Sequence, residues 1–221
     1  MLRLIPNNSA QGHETRWLAI LATLLCLAAP AHGQELEAVQ LYTDGELVDM
    51  FRQNSHLQRV SVTDRCQLVQ DIRAQAEIER RPAYQFLYGD MLAWNVCYDR
   101  NEALGLEYMK IAAQQGLPAA LEQLGRYYHE GILVQRDLDE AILYLREAAS
   151  LGNMAAQLRF ADILIAGDGS PYDLEQAYHW LHHAVTADDV LYRQIDNRLT
   201  RLAQLMPPHI VERAKEPLGR S

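Results

Sequence analysis

The segment ALEQLGRYYHEGILVQRDLDEAILYLREAASLGNMA, residues 120–155, decides the fold, because its pattern of residue types recurs without a gap at 84–119 and 156–191. The 36-residue spacing aligns small residues with small residues and aromatic residues with aromatic residues. The clearest columns are Gly105/Ala141/Ala177, Tyr108/Tyr144/Trp180 and Ala112/Ala148/Ala184. A repeat of this length is typical of stacked helical hairpins, in which no single unit can bury its own apolar face. The sequence therefore predicts an all-α solenoid.

Each unit is predicted to contain a helix A and a helix B joined by a turn. In the middle unit, helix A covers about 120–130 and ends at Gly131, since glycine suits the left-handed position that follows a helix. Helix B begins at Asp137, which is a good capping residue, and ends before Gly152. Asn101 and Asp173 hold the position of Asp137 in the neighbouring units, so both are predicted to cap a helix.

The segments on either side of the three units, which span 83–191, are predicted to cap the stack. The leader, residues 34–82, contains the capping-box pattern Thr43-Asp-Gly-Glu46, which predicts a short helix running toward Gln53. Residues 64–79 keep the repeat register, so we expect helix B of a degenerate first unit there. Residues 192–221 are predicted to form a capping helix up to Pro207-Pro208, followed by a loose tail.

Residues 1–33 have the features of a secretory signal peptide. Arg16 precedes an apolar run at 17–29, and the small residues Ala29, Ala31 and Gly33 follow. The run is shorter than the roughly 20 apolar residues that span a bilayer comfortably. We therefore expect export, with cleavage after Ala31 or Gly33, and an uncleaved anchor as the alternative.

Export makes Cys66 and Cys97 a candidate disulfide, because a pair of cysteines is normally bridged in an oxidising compartment. The repeat register places Cys97 in the A-to-B turn of the first unit and Cys66 near the same turn of the degenerate unit. Neighbouring hairpins set these turns side by side. A bridge there closes a loop of about 30 residues and is expected to stabilise the fold by roughly 3–4 kcal/mol. Two free thiols are the alternative.

No motif in the sequence indicates catalysis or a bound cofactor. There is no nucleophile elbow, no phosphate-binding glycine loop and no dinucleotide fingerprint, so we expect a protein that is not an enzyme. His179 and His183 lie four residues apart and could chelate a metal ion from one helix face. Their counterparts one unit earlier are Leu143 and Glu147, which indicates solvated positions, and we predict no metal site. The net charge of −9, without a basic stripe, argues against nucleic-acid binding, and no small-molecule substrate is expected.

The inner face of the array is the strongest functional candidate, because repeat arrays present extended concave surfaces to partners. Helix A usually lines the concave side. Its outward positions include Asp90, Arg126, His129, Glu130 and Asp162. These side chains are expected either to touch a partner or to be solvated.

The repeat columns resemble the Sel1-like repeat, a relative of the tetratricopeptide repeat, over about 83–190. Segments within and outside the repeats also resemble the MotX family of the sodium-driven polar flagellar motor. The matching segments are 64–72, 84–94, 112–128 and 185–188. The resemblance implies a periplasmic adaptor in the T ring of the flagellar basal body. Its implied partners are a MotY-like T-ring protein and a PomB-like stator subunit, which it helps to hold around the rotor. The alternative is an exported Sel1-like adaptor that serves another cell-envelope assembly.

Overall fold

The structure, a computed structural model, describes residues 41–217, and its regular elements are helices. The predicted all-α solenoid is confirmed. The helices are α1 Asp44–Arg52, α2 His56–Gln58 with a π-helical turn Arg59–Thr63, α3 Val69–Glu77, α4 Pro82–Ala93, α5 Glu102–Gln114, α6 Pro118–Glu130, α7 Leu138–Ser150, α8 Met154–Ala166, α9 Leu174–His182, α10 Asp189–Gln204 and α11 Pro208–Lys215.

The three predicted units are the hairpins α4–α5, α6–α7 and α8–α9, each packed against the next. The aromatic residue of helix B packs on helix A of its own hairpin. The ring centroids are 5.0 Å apart for Tyr88 and Tyr108, and 6.2 Å apart for Phe160 and Trp180. Because this contact recurs, each hairpin carries its own aromatic layer between its two helices.

The predicted helix ends are confirmed in the middle unit. Gly131 follows α6 in the left-handed conformation with φ 74°, and the Asp137 carboxylate accepts hydrogen bonds from two backbone N–H groups of α7. Asp173 directly precedes α9, as predicted, but its side chain does not cap that helix. It lies in a 3₁₀ turn, Pro171–Asp173, with helical backbone angles, and its carboxylate pairs with Arg146 instead of capping α9. A cap needs an extended backbone, which this turn does not allow.

The first hairpin depends on a close approach of two glycines. A Cβ atom added at Gly89 of α4 would lie 2.7 Å from the carbonyl oxygen of Gly105 in α5. The reverse contact, from Gly105 to the Gly89 carbonyl, would be 2.6 Å. Since both obstacles are backbone atoms, neither can rotate away, and the two helices touch where glycine alone fits.

We expect Gly89→Ala to lower the free energy of unfolding by about 1–3 kcal/mol, because overpacking outweighs the higher helix propensity of alanine. Urea denaturation followed by circular dichroism measures this. Gly45→Ala in α1 is the matched control, since a Cβ at Gly45 meets nothing within 4 Å. The control is expected to be neutral or slightly stabilising. Equal midpoints for the two variants would contradict the close approach.

The leader forms the predicted short helix but a shorter helix B than expected. The Thr43–Glu46 capping box at the start of α1 is confirmed. The helix expected over 64–79 begins only at Val69, because Arg65 and Cys66 adopt φ angles of 50° and 58°. These values belong to the left-handed region and cannot continue a right-handed helix.

The C-terminal segment is more ordered than the sequence indicated. The predicted capping helix is present as α10, with Ile195 and Leu202 buried. The loose tail predicted after Pro207 is wrong for Pro208–Lys215, which form α11, bury Val211 and Ala214, and contact α9. Proline at the first position of a helix is well tolerated, so Pro208 starts a helix where we expected it to end order. Residues 218–221 lie outside the described residues.

The signal peptide predicted at 1–33 also lies outside the described residues. Between residues 41 and 217, no helix is both long enough and apolar enough to cross a membrane.

Candidate protein-interaction surface

The chain covers part of its own inner face. Helices α1 and α2 of the leader contact α4, and α1 also reaches α6, so the leader lies across helix A of the first two units. Every residue of α4 from Ala83 to Ala93 is buried between this leader and the helices α3 and α5. The Phe51 ring meets Phe86 edge-on, with ring centroids 4.7 Å apart. The inner face of the first unit is therefore already occupied.

Asp90 is buried beneath this leader, and the prediction that it points outward is wrong. It is 1% exposed, and its Oδ2 lies 2.6 Å from Nε2 of His56, which is 3% exposed. The ring of His56 packs against both Phe51 and Phe86, with ring centroids 5.1 and 5.9 Å away. A carboxylate is tolerated in such an apolar place only with a hydrogen-bonding partner, and the leader supplies that partner.

A chain of hydrogen bonds leads from Asp90 to the surface. Its Oδ1 accepts a hydrogen bond from the Gln123 amide at 3.3 Å and a longer one from the Tyr127 hydroxyl at 3.5 Å. Tyr127 in turn accepts from Trp94 Nε1 at 2.7 Å. Burial, together with Asp90, raises the pKa of Tyr127, so its hydroxyl keeps its proton at neutral pH. Trp94, 41% exposed, is the outer end of this chain.

The second and third units carry charged side chains on the inner face, and these side chains pair with one another. Arg159 of α8 binds Glu130 of α6 at 2.6 Å and lies 3.9 Å from Glu122. Arg126 donates to Gln123 at 2.7 Å and lies 3.9 Å from Glu130. Burial raises the pKa of the Glu122 carboxyl, while the two arginines oppose that rise. Arg126 and Glu130, predicted to point outward, thus belong to an ion network that joins two units.

The other two predicted residues also lie on helix A. Asp162 of α8 pairs with Arg198 of α10 at 2.6 Å, which ties the capping helix to the last unit. His129 is half-buried, and burial together with Arg159 and Arg136 lowers the pKa of its imidazole. The structure therefore brings Arg126, His129 and Glu130 together on α6 and places Asp162 on the next helix A.

One signal in the sequence could have revealed the covered region. Phe86 occupies the column that holds Glu122 in the second unit. An apolar residue where the neighbouring unit has a charge indicates a face that is covered in one unit and open in the next. Asp90 hid this signal, since a carboxylate suggests an exposed position.

Cys66 and Cys97 form a disulfide in the structure, with Cα atoms 5.5 Å apart. It links the turn that precedes α3 to the turn between α4 and α5. The leader is therefore joined covalently to the first unit, whose helix α4 it also contacts.

The histidines of α9 make contacts within the protein. Nδ1 of His179 lies 3.0 Å from the carbonyl oxygen of Ala214 in α11, and the His179 and His183 ring centroids are 4.5 Å apart. His179 is thus half-buried, where we expected a solvated position. Burial, with His183 nearby, lowers the pKa of His182. In the described part of the chain, no group of three or more His, Cys, Asp or Glu side chains is placed to hold a metal ion.

Comparison with known proteins agrees with the repeat architecture. The Sel1 repeat family matches residues 82–117, 118–153 and 155–189. Two solved structures are similar, a Sel1 repeat protein from Oxalobacter formigenes (TM-score 0.47, 16% identity) and a protective antigen of uropathogenic Escherichia coli (TM-score 0.46, 18% identity). The alignments cover 76% and 80% of this chain, which spans 58% and 43% of the two structures.

Among curated proteins, the chain is 55% identical over 177 residues to the sodium-type polar flagellar protein MotX of Vibrio parahaemolyticus, covering 80% of this chain and 83% of the relative. The chain belongs to the MotX family. This membership makes it a component of the polar flagellar motor. A second relative, an exopolysaccharide production negative regulator of Rhizobium meliloti, is 34% identical over 119 residues, which are 46% of this chain and 41% of that protein. The likeness to MotX extends over most of both chains.

Proposed function

We propose that this protein is a non-enzymatic periplasmic adaptor of the polar flagellar motor, that it forms part of the T ring, and that it holds or recruits stator units for torque generation. The 55% identity to MotX over most of both chains carries this proposal. A MotY-like T-ring protein and a PomB-like stator subunit are the proposed partners.

The fold supports an adaptor role. Stacked hairpins form a long surface whose stability comes from contacts between neighbouring units rather than from a single site. In this chain, ion pairs add to those contacts, through Arg159 between the second and third units and Arg198 between the third unit and α10. Such a surface can contact a ring subunit and a stator subunit at different places.

The periplasmic part of the proposal rests on the sequence of residues 1–33 and on the cysteine pair. We propose that residues 1–33 direct export and are removed, and that Cys66 and Cys97 are oxidised in the periplasm. The leader at 34–82, the units at 83–191 and the C-terminal cap are then the mature adaptor.

Deletion of the gene is expected to give cells that have flagella but do not swim, because torque generation is lost while filament assembly is not. Electron microscopy scores the flagella, tracking scores the swimming, and a fluorescent stator subunit shows whether stators still collect at the pole. The full-length gene is expected to restore all three.

A version that lacks residues 2–33 is the matched control for export. It is expected to remain in the cytoplasm, as shown by cell fractionation, and not to restore swimming. Normal swimming of the deletion strain would contradict the motor role, whereas rescue by the unexported version would contradict the periplasmic location.

A further inference from the structure

We propose that the histidines at the end of α9 make the attachment of the C-terminal helix α11 sensitive to pH, so that mild acid weakens it. The histidine cluster consists of His179, His182 and His183. The inference goes beyond the motor role and does not rest on it. It concerns how tightly α11 is held on the last unit, and it is tested on purified protein.

Helix α11 is attached to α9 by a small contact area. It buries Val211 and Ala214 and packs against α9. Two polar contacts join the helices. The Arg213 guanidinium donates to both carboxylate oxygens of Glu175, and Nδ1 of His179 lies 3.0 Å from the Ala214 carbonyl oxygen. Because segments with few buried contacts open at lower free energy than the rest of a fold, a modest change of charge at this contact is expected to alter its opening.

The three imidazole rings of the cluster lie close together. The ring centroids of His179 and His183 are 4.5 Å apart, and those of His182 and His183 are 5.1 Å apart. His179 is half-buried against α11, and the other two are exposed beside it. Histidine is the side chain that ordinarily gains its charge between about pH 8 and pH 5. Acid therefore places like charges next to one another at the edge of the α9–α11 contact.

Helix α11 adds a further positive charge to this place. Burial, together with His183, Lys215 and His179, lowers the pKa of His182, while Glu212 opposes that shift. Glu212 is already engaged by Lys215 at 2.7 Å. A histidine whose pKa is lowered in the folded state favours its neutral form there. The attached state therefore loses stability as the pH falls below the value of a free histidine, about 6.5.

The other groups around the cluster keep their charge in mild acid. They are Glu175 and Tyr178 of α9, Tyr192 and Asp196 of α10, Glu216 after α11 and Tyr172 of the 3₁₀ turn. Arg213 lowers the pKa of the Glu175 carboxyl, so that bridge persists. Asp196 and Glu216 are exposed, and water screens their attraction for a charged histidine, whereas Lys215 is half-buried. Helix α8 meets α9 through Phe160, which packs on Trp180. The histidines are thus the groups that change charge at this contact.

Hydrogen exchange at about pH 5 and about pH 7.5 tests the proposal, with each rate divided by the intrinsic rate of the unfolded chain at that pH. We expect protection of the amides of α11 to fall by about threefold or more at the lower pH, because the attached state binds fewer protons than the open one. Amides of α5, which contains no histidine, are the internal reference and are expected to keep their protection. An equal loss in both helices would mean a general loosening of the fold and would overturn the proposal.

Three variants locate the response. His182→Gln removes the ring that faces Lys215 and is expected to abolish the pH response of α11. His209→Gln is the matched control, since His209 is an exposed residue of α11 itself, and it is expected to respond like the wild type. Lys215→Gln is expected to weaken the response, because α11 then no longer opposes a charge on His182. Protection of α11 that is constant or rises in acid, or a His182→Gln variant that responds like the wild type, would show that the cluster does not control the attachment.

Discussion

Replacing Asp90 with alanine is expected to weaken the attachment of the leader by about 1–3 kcal/mol, the cost of leaving a buried hydrogen-bonding group without its partner. The side chains of His56 and Asp90 are only 4% and 2% exposed, so water cannot replace the lost contact. The substitution leaves both ring nitrogens of His56 without a hydrogen-bond partner among residues 41–217. Gln123 and Tyr127 also lose the carboxylate to which they donate.

Hydrogen exchange with mass spectrometry measures this loss, because peptides within 44–63 report opening of the leader directly. Asp49→Ala is the matched control, since Asp49 belongs to the same leader and pairs with Arg52 at 2.9 Å. That pair is 72% and 64% exposed, and exposed pairs contribute about 0–1 kcal/mol. If both variants accelerate exchange equally, the buried pair contributes no more than a surface pair and our reading of the leader is wrong.

Replacing both Cys66 and Cys97 with serine is expected to lower the free energy of unfolding by about 3–4 kcal/mol. The bridge closes a loop whose ends are 31 residues apart, and without it the unfolded chain regains the entropy of that loop. The double variant is preferred to a single one because it leaves no lone thiol.

Urea denaturation of the oxidised wild type, the reduced wild type and the double variant measures this effect. Reduction is expected to bring the wild type to the midpoint of the variant. The variant should not respond to reductant, and that makes it the control. A wild type whose midpoint is insensitive to reductant, with both thiols free to react with a maleimide, would contradict the bridge.

Together, these two links explain how a weakly buried leader stays on the array. The disulfide determines where the leader is attached, and the His56–Asp90 pair holds it against α4. The leader thus covers one side of α4, whereas the counterparts α6 and α8 keep charged side chains on the corresponding side. The first unit is thus covered by the chain's own leader, and the later units are the ones that present charged side chains.

Much of the repeat architecture could be predicted because it depends on local chemistry. Gly131 and Asp137 end and begin their helices as expected, since a left-handed turn and an N-cap each depend on a few adjacent residues. The prediction failed for residues 64–68, where two left-handed residues delay the helix, and at Pro208, which begins a helix. In both places, contacts with distant parts of the chain help to determine the backbone conformation.

The sequence placed the candidate residues on the expected helices but did not show which of them are covered. The sequence placed Asp90, Arg126, Glu130 and Asp162 on one face, and the structure puts them on successive helices A. The sequence could not show that Asp90 lies beneath His56, because the two residues are 34 positions apart and no repeat column links them. Nor could the sequence show that Arg159 binds Glu130 and that Arg198 binds Asp162. Ion pairs between units depend on the distance and direction of the two side chains.

By itself the sequence determined the repeat, its register, the hairpin stack and Cys66 and Cys97 as the candidate disulfide pair. These features follow from the repeat period and from the turn and capping preferences of individual residues, both of which can be read from the order of the residues. Only the tertiary structure decided which part of the inner face is open. That depends on where a non-repeating leader comes to rest, and its position is set by the burial of Phe51 and His56 against residues far along the chain.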